Sequence, residues 1–183
     1  MKIEPIETRF DGHRFRSRLE ARYAVMFRRC RWDYEYEPQG FWLTGWRYDY
    51  GYEPWTGEWD YRYEPESYWV PKTSYLPDFL LSGLPIWLEV KGVDADPRTL
   101  DMCRSFSLEI GQDVCLFVGC PGWDRRGVRF RRGDTTSIYL WEMLTQQGLT
   151  QSEIDRAFDA ARSARFEHGE MPQLELPIEI ETA

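Results

Sequence analysis

Two short runs hold the side chains best suited to chemistry: Tyr75-Leu76-Pro77-Asp78-Phe79-Leu80-Leu81 and Ile86-Trp87-Leu88-Glu89-Val90-Lys91-Gly92. Both read as strands, and Ser82-Gly83-Leu84-Pro85 between them has the turn residues of a hairpin. A loop centred on the Gly83–Leu84 bond puts Asp78 opposite Glu89. Carboxylates so placed have Cβ atoms roughly 5 Å apart and repel each other. A divalent cation between them is the simplest compensation. Mg²⁺, with Mn²⁺ as a substitute, takes oxygen ligands and keeps several of its waters, which suits two carboxylates on a polar face. Lys91 follows Glu89 by two residues and shares its face. There it either directs a water and steadies developing negative charge, or balances the acids as a salt bridge.

Alternation sorts the rest of the hairpin. Tyr75, Pro77, Phe79 and Leu81 with Ile86, Leu88 and Val90 form a face suited to a core. Asp78, Glu89 and Lys91, ringed by Leu76, Leu80 and Trp87, form the other. Upstream, Arg9 to Trp32 is the most basic stretch, and Phe15, Leu19, Tyr23, Met26 and Cys30 recur at helical spacing. Glu20 lies at the edge of that apolar stripe, where an ion pair with Arg16 four residues before it is the plain alternative to a site role. Downstream, Asp96-Pro97 opens a helix that Gly111 stops, and Val114 to Gly119 reads as a strand buried on both faces. Strand, helix, strand in that order implies a crossover and a parallel pair.

Pro77-Asp78 followed by Glu89-Val90-Lys91 resembles the signature of the PD-(D/E)XK nuclease superfamily. The likeness extends upstream to Phe15-Arg16-Ser17-Arg18-Leu19-Glu20-Ala21-Arg22-Tyr23, similar to the first helix of phage and mobile-element members. It continues downstream through Glu109 to Val114 and the apolar run ending at Gly119, covering about residues 10 to 120. The resemblance implies a restriction-endonuclease-like α/β domain with a mixed central sheet flanked by helices. It also implies Mg²⁺-dependent hydrolysis of phosphodiester bonds in DNA, of the kind seen in recombination, junction cleavage or transposon-end nicking, in the cytoplasm and with a recombination or transposition partner protein. Glu20, Asp78, Glu89 and Lys91 are then the catalytic set, with Asp78, Glu89, the Val90 carbonyl and Glu20 as metal ligands. Arg14, Arg16, Arg18, Arg126 and Arg129 are the expected DNA contacts, their alternative being a solvated surface. The rival readings are a PD-(D/E)XK fold that binds DNA or protein without cutting, and an aromatic-rich interaction module in which the motif is chance.

The chain has 183 residues, 42% of them hydrophobic, enough for one domain with an insertion or tail. We expect the domain over residues 1–166 and an acidic tail over 167–183. A net charge of −8 argues against a protein that coats DNA through a basic surface, though not against a local basic cleft. Tyr34 to Leu43 reads as the first core strand, and the aromatic content, 16%, concentrates in an insertion at about 44–72, between it and the second. Around it Tyr-x-Tyr-Glu-Pro occurs at Tyr34, Tyr50 and Tyr61. This stretch reads as a small β-flap packed on its own aromatics, or else a platform for unpaired bases. No apolar run reaches the roughly 18 residues of a membrane span, and no signal-peptide core follows Met1. Four cysteines without CxxC spacing suit buried thiols, and two histidines in unstructured-looking places leave no zinc or Ser/His/Asp site. Ser137 to Leu144 reads as a last strand, with a helix as its alternative, and Thr150-Gln151-Ser152-Glu153 as a capping box opening a helix to about Phe166.

Overall fold

The computed structural model describes residues 6–49, 66–93 and 95–166. It is a mixed α/β fold. Ten strands and four helices appear in the order β1 (Thr8–Phe10), β2 (His13–Phe15), α1 (Arg18–Arg29), β3 (Tyr34–Tyr36), β4 (Phe41–Asp49), β5 (Glu66–Tyr75), β6 (Phe79–Leu81), β7 (Ile86–Lys91), α2 (Pro97–Ile110), β8 (Asp113–Val118), β9 (Arg126–Arg131), β10 (Asp134–Tyr139), α3 (Leu140–Gln146) and α4 (Gln151–Ser163). The central sheet has six strands ordered β10-β9-β8-β7-β6-β3. Only β7 and β8 run parallel, as the α2 crossover requires, and every other pair in this sheet is antiparallel.

Apolar residues fill both faces of the sheet. On one side Phe79, Leu88, Val90 and Phe117 pack against Tyr23, Met26 and Phe27 of α1 and Ile154 and Phe158 of α4. On the other, Trp87, Val114, Leu116 and Phe130 meet Leu100, Cys103 and Phe106 of α2, with Leu43 and Tyr75 of the β4–β5 hairpin. Helices therefore flank both faces, as expected. Among the described residues no helix is long and apolar enough to cross a membrane. The four thiols are free, with Cys30, Cys103 and Cys115 buried.

Helix ends follow local chemistry. Ser17 caps α1 and accepts from the Glu20 N–H at 3.2 Å. Asp96 caps α2 with Pro97 behind it, and Gly111 ends that helix at φ +67°. Thr150 and Glu153 form the expected box at the start of α4.

Three expectations change. The helical spacing read from Phe15 becomes helix only after the Ser17 cap, because Asp11-Gly12 turns residues 8–15 into the β1–β2 hairpin, with φ +51° at Asp11 and +78° at Gly12. The strand expected from Tyr34 to Leu43 is two, β3 in the central sheet and β4 paired with β5. The last strand stops at Tyr139, and Leu140 onward is helix, capped by Glu142 accepting from the Tyr139 N–H at 2.7 Å. Of the insertion at 44–72, residues 44–49 and 66–72 belong to the β4–β5 ladder. The second and third Tyr-x-Tyr-Glu-Pro copies and the 167–183 tail lie outside the described residues.

Candidate active site

The β6–β7 hairpin pairs Phe79 with Leu88, Leu80 with Trp87 and Leu81 with Ile86. One further step along this register brings Asp78 opposite Glu89, the juxtaposition the turn predicts. Both acids are buried, at 1% and 3% exposure. Burial raises the Asp78 carboxyl to about 8, helped by the charges of Glu89 and Glu20 and opposed by the Val90 N–H and Lys91.

Each oxygen of the pair has a donor. Asp78 Oδ1 accepts from Arg16 Nη2 at 2.7 Å, and Oδ2 from the Val90 N–H at 2.8 Å. Glu89 Oε1 is ion-paired with Lys91 Nζ, and Oε2 accepts from the Tyr75 hydroxyl at 3.0 Å. Burial works against the Lys91 ammonium, but Glu89 overrules it and holds the lysine above its ordinary value. The Tyr75 phenol is likewise held well above its usual range, first by burial, then by Cys103 and Glu89.

Tyr75 corrects an expectation. Counting alternation through Pro77 put it on the aliphatic face, yet it points to the acids. β5 ends at Tyr75 and β6 starts at Phe79, so the intervening Leu76-Pro77-Asp78 breaks the two-residue period. Phe79, Leu88 and Val90 do keep to the face predicted for them.

Glu20 reaches the same neighbourhood from the first turn of α1. It accepts from Ser17 Oγ at 2.8 Å, from the Arg16 N–H at 3.0 Å and from the Tyr36 hydroxyl at 2.5 Å. Its charge is felt at Asp78. Among the described residues no three His, Cys, Asp or Glu side chains gather as a metal-ligand group. The plain alternative of an ion pair with the Arg16 side chain does not appear either: Glu20 takes the Arg16 backbone N–H, while the guanidinium turns to Asp78 and Glu37.

The arginines separate. Arg14 is ion-paired with Glu7 on the exposed β1–β2 hairpin. Arg16 is drawn into the acidic site, and Arg18 opens α1 two residues before Glu20. The sheet registers put Lys91 beside Val118, and one step past the last β8–β9 pair Val118 beside Arg126. Arg126 therefore shares the face and the sheet end of Lys91, about 10 Å away across two strand spacings. It donates to Ser137 Oγ at 2.7 Å. Arg129 pairs with Cys115, on the opposite face, so it does not line the end that holds Lys91 and Arg126.

The donors available to a hard cation are the Asp78 and Glu89 carboxylates and the Val90 carbonyl. In an extended strand the N–H and C=O of one residue point to the same side. The Val90 N–H bonds Asp78, so its carbonyl also faces the Asp78 edge, beyond the last β6–β7 pair. An all-oxygen set of two buried carboxylates and a backbone carbonyl fits Mg²⁺ or Mn²⁺. Tyr36, Glu37 and Tyr75 are site residues that the sequence reading left in strand or insertion. Comparison with protein-family models, curated proteins and solved structures finds no match to this chain.

Proposed function

We propose that the protein is a metal-dependent DNA endonuclease of the PD-(D/E)XK, restriction-endonuclease-like type. The observation that carries this reading is the buried Asp78–Glu89 pair, opposed across the β6–β7 hairpin with Lys91 fastened to Glu89. Opposed carboxylates perturbed by burial and by each other cluster at functional sites.

Asp78, Glu89 and the Val90 carbonyl would hold Mg²⁺ or Mn²⁺. Such a cation would supply Lewis-acid activation of the phosphorus centre and of a bound water, and charge stabilisation at the leaving 3′ oxygen. The chain's own groups do the remaining work. Lys91, kept cationic and aimed by Glu89, orients the attacking water and stabilises charge developing on the phosphate. Glu20 fixes the Arg16–Ser17 backbone at the mouth of the site through its bonds to both residues. Arg126, along the same sheet end, meets a phosphate further down the backbone. No separate sequence-reading element appears among the described residues. Cleavage is accordingly directed by DNA structure (a junction, flap or nick) or by a recombination or transposition partner. The setting that suits such an enzyme is the cytoplasm of a bacterial or phage-infected cell.

One observation favours a second reading. Every oxygen of Asp78 and Glu89 already has a protein donor, as suits a catalytically silent fold that binds DNA or protein. Nicking assays on supercoiled and branched DNA with Mg²⁺ or Mn²⁺ separate the two. The nuclease reading expects nicking that Asp78→Ala and Lys91→Ala abolish. Nicking that survives Asp78→Ala rejects the mechanism, and DNA binding without nicking on any substrate supports the silent module.

A further inference from the structure

Arg16 lies in the short connection between β2 and α1, yet its side chain reaches two acids on other elements. Nη2 stands 2.7 Å from Asp78 Oδ1 and Nε 2.5 Å from Glu37 Oε1. Its own side chain is 53% exposed while that of Asp78 is 2% exposed, so the guanidinium comes in from the solvent side and lies across the outer oxygen of the buried acid. It is a permanent cation at any working pH.

Glu37 holds the other end of this clamp. Its backbone takes φ +46°, and its N–H donates to the Asp78 carbonyl at 2.9 Å. The preceding Tyr36 is fixed through its hydroxyl to Glu20. The Glu37 carboxylate is therefore carried by a backbone tied to Asp78 itself, so Arg16 keeps one anchor whatever becomes of the other.

A guanidinium and a divalent cation compete for the same acceptor, Asp78 Oδ1, and like charges brought together there repel. We infer that Arg16 is a resident counter-ion that a divalent cation must displace from Asp78, and that Glu37 retains the displaced guanidinium at the edge of the site. This rests on the proposed metal site. It gives Arg16 two successive tasks: neutralising the acid, then offering its freed N–H groups to a phosphate that arrives with the metal. Coupled in this way, metal binding uncovers a phosphate contact, and the two components of the substrate complex favour each other.

Titration calorimetry with Mn²⁺ on the EDTA-treated, DNA-free protein tests this without recourse to activity. Arg16→Gln is expected to bind Mn²⁺ about tenfold more tightly than wild type, the worth of one charge-assisted contact removed from competition. Glu37→Gln is expected to weaken Mn²⁺ binding in the wild-type background and to do nothing in the Arg16→Gln background, since it acts through Arg16. Equal Mn²⁺ affinity in wild type and Arg16→Gln, with binding lost in Asp78→Asn, overturns the displacement while leaving the metal site standing. Binding seen only in Arg16→Gln supports it in its strongest form. No binding in either protein removes both the inference and the nuclease reading. Equal effects of Glu37→Gln in both backgrounds overturn its part as anchor.

Discussion

Glu20 and Asp78 are both buried carboxylates beside Arg16, and they are satisfied in opposite ways. Glu20 is met by neutral donors alone: a hydroxyl from Ser17, a phenol from Tyr36 and a backbone N–H. Asp78 receives one N–H and one guanidinium, and across from it Glu89 receives a phenol and an ammonium. Neutral donors on Glu20 fix the end of a helix and leave the charge in place. Cations on Asp78 and Glu89 can be exchanged for another cation. On the proposed reading, burial alone does not mark a metal ligand; the chemistry of the partner does.

The contrast can be broken most severely at the exchangeable acids. Asp78→Ala is expected to lower DNA nicking by about 10³-fold or more, the several kcal/mol supplied by a bound cation. Mn²⁺ binding disappears with it, as calorimetry would show. Glu20→Gln should cost about 10- to 100-fold in nicking, as a group acting through its neighbours does, and leave Mn²⁺ affinity unchanged. Loss of Mn²⁺ binding in Glu20→Gln would erase the distinction and make Glu20 a ligand.

A milder change sharpens the comparison at Glu89. Tyr75→Phe leaves Glu89 Oε2 without its phenol, and denaturant unfolding should show a loss of about 1.5–3 kcal/mol. The same substitution at Tyr36 is expected to cost less, because Glu20 keeps two other donors.

A further effect lies in pH. The Asp78 carboxyl is raised to about 8 from an ordinary value of 3.8, mainly by burial. Between those values the folded chain holds a proton that the unfolded chain releases, so stability falls as pH rises. The EDTA-treated protein should show a midpoint that declines from about pH 4 toward pH 8, on melts followed by circular dichroism. Asp78→Asn should flatten that decline, and an unchanged slope would show that Asp78 is ionised throughout.

Much of this arrangement is legible in the sequence. The Asp78–Glu89 pairing follows from turn residues and simple register, and α2 and α4 from their caps, because these signals are local. What stayed hidden depends on where one element meets another. Simple alternation puts Tyr75 on the wrong face, because Pro77 interrupts the run between Tyr75 and Phe79. Tyr36 and Glu37 looked like one copy of a repeated motif, and only the β3–β6 pairing brings them to Asp78. The helical spacing that starts at Phe15 says nothing of the Asp11-Gly12 turn just before it, which sets the β1–β2 hairpin. The aliphatic face needed no such luck, because any apolar residue suffices there.

The loop from Ser82 to Pro85 acts as a gauge block for the acidic pair. Gly83 turns at φ +82°, Leu84 N–H closes on the Leu81 carbonyl at 3.1 Å, and Ser82 N–H is pinned to the Asp33 carbonyl at 2.9 Å. Its composition is open to drift wherever the left-handed turn survives, but its length is not: one residue added or removed slides β6 past β7 and sends Asp78 into the hydrocarbon layer. The separation of the two acids is thus stored as an integer, a count of four residues far from any charge, and lineages diverging from this chain would vary the letters of that loop long before its number.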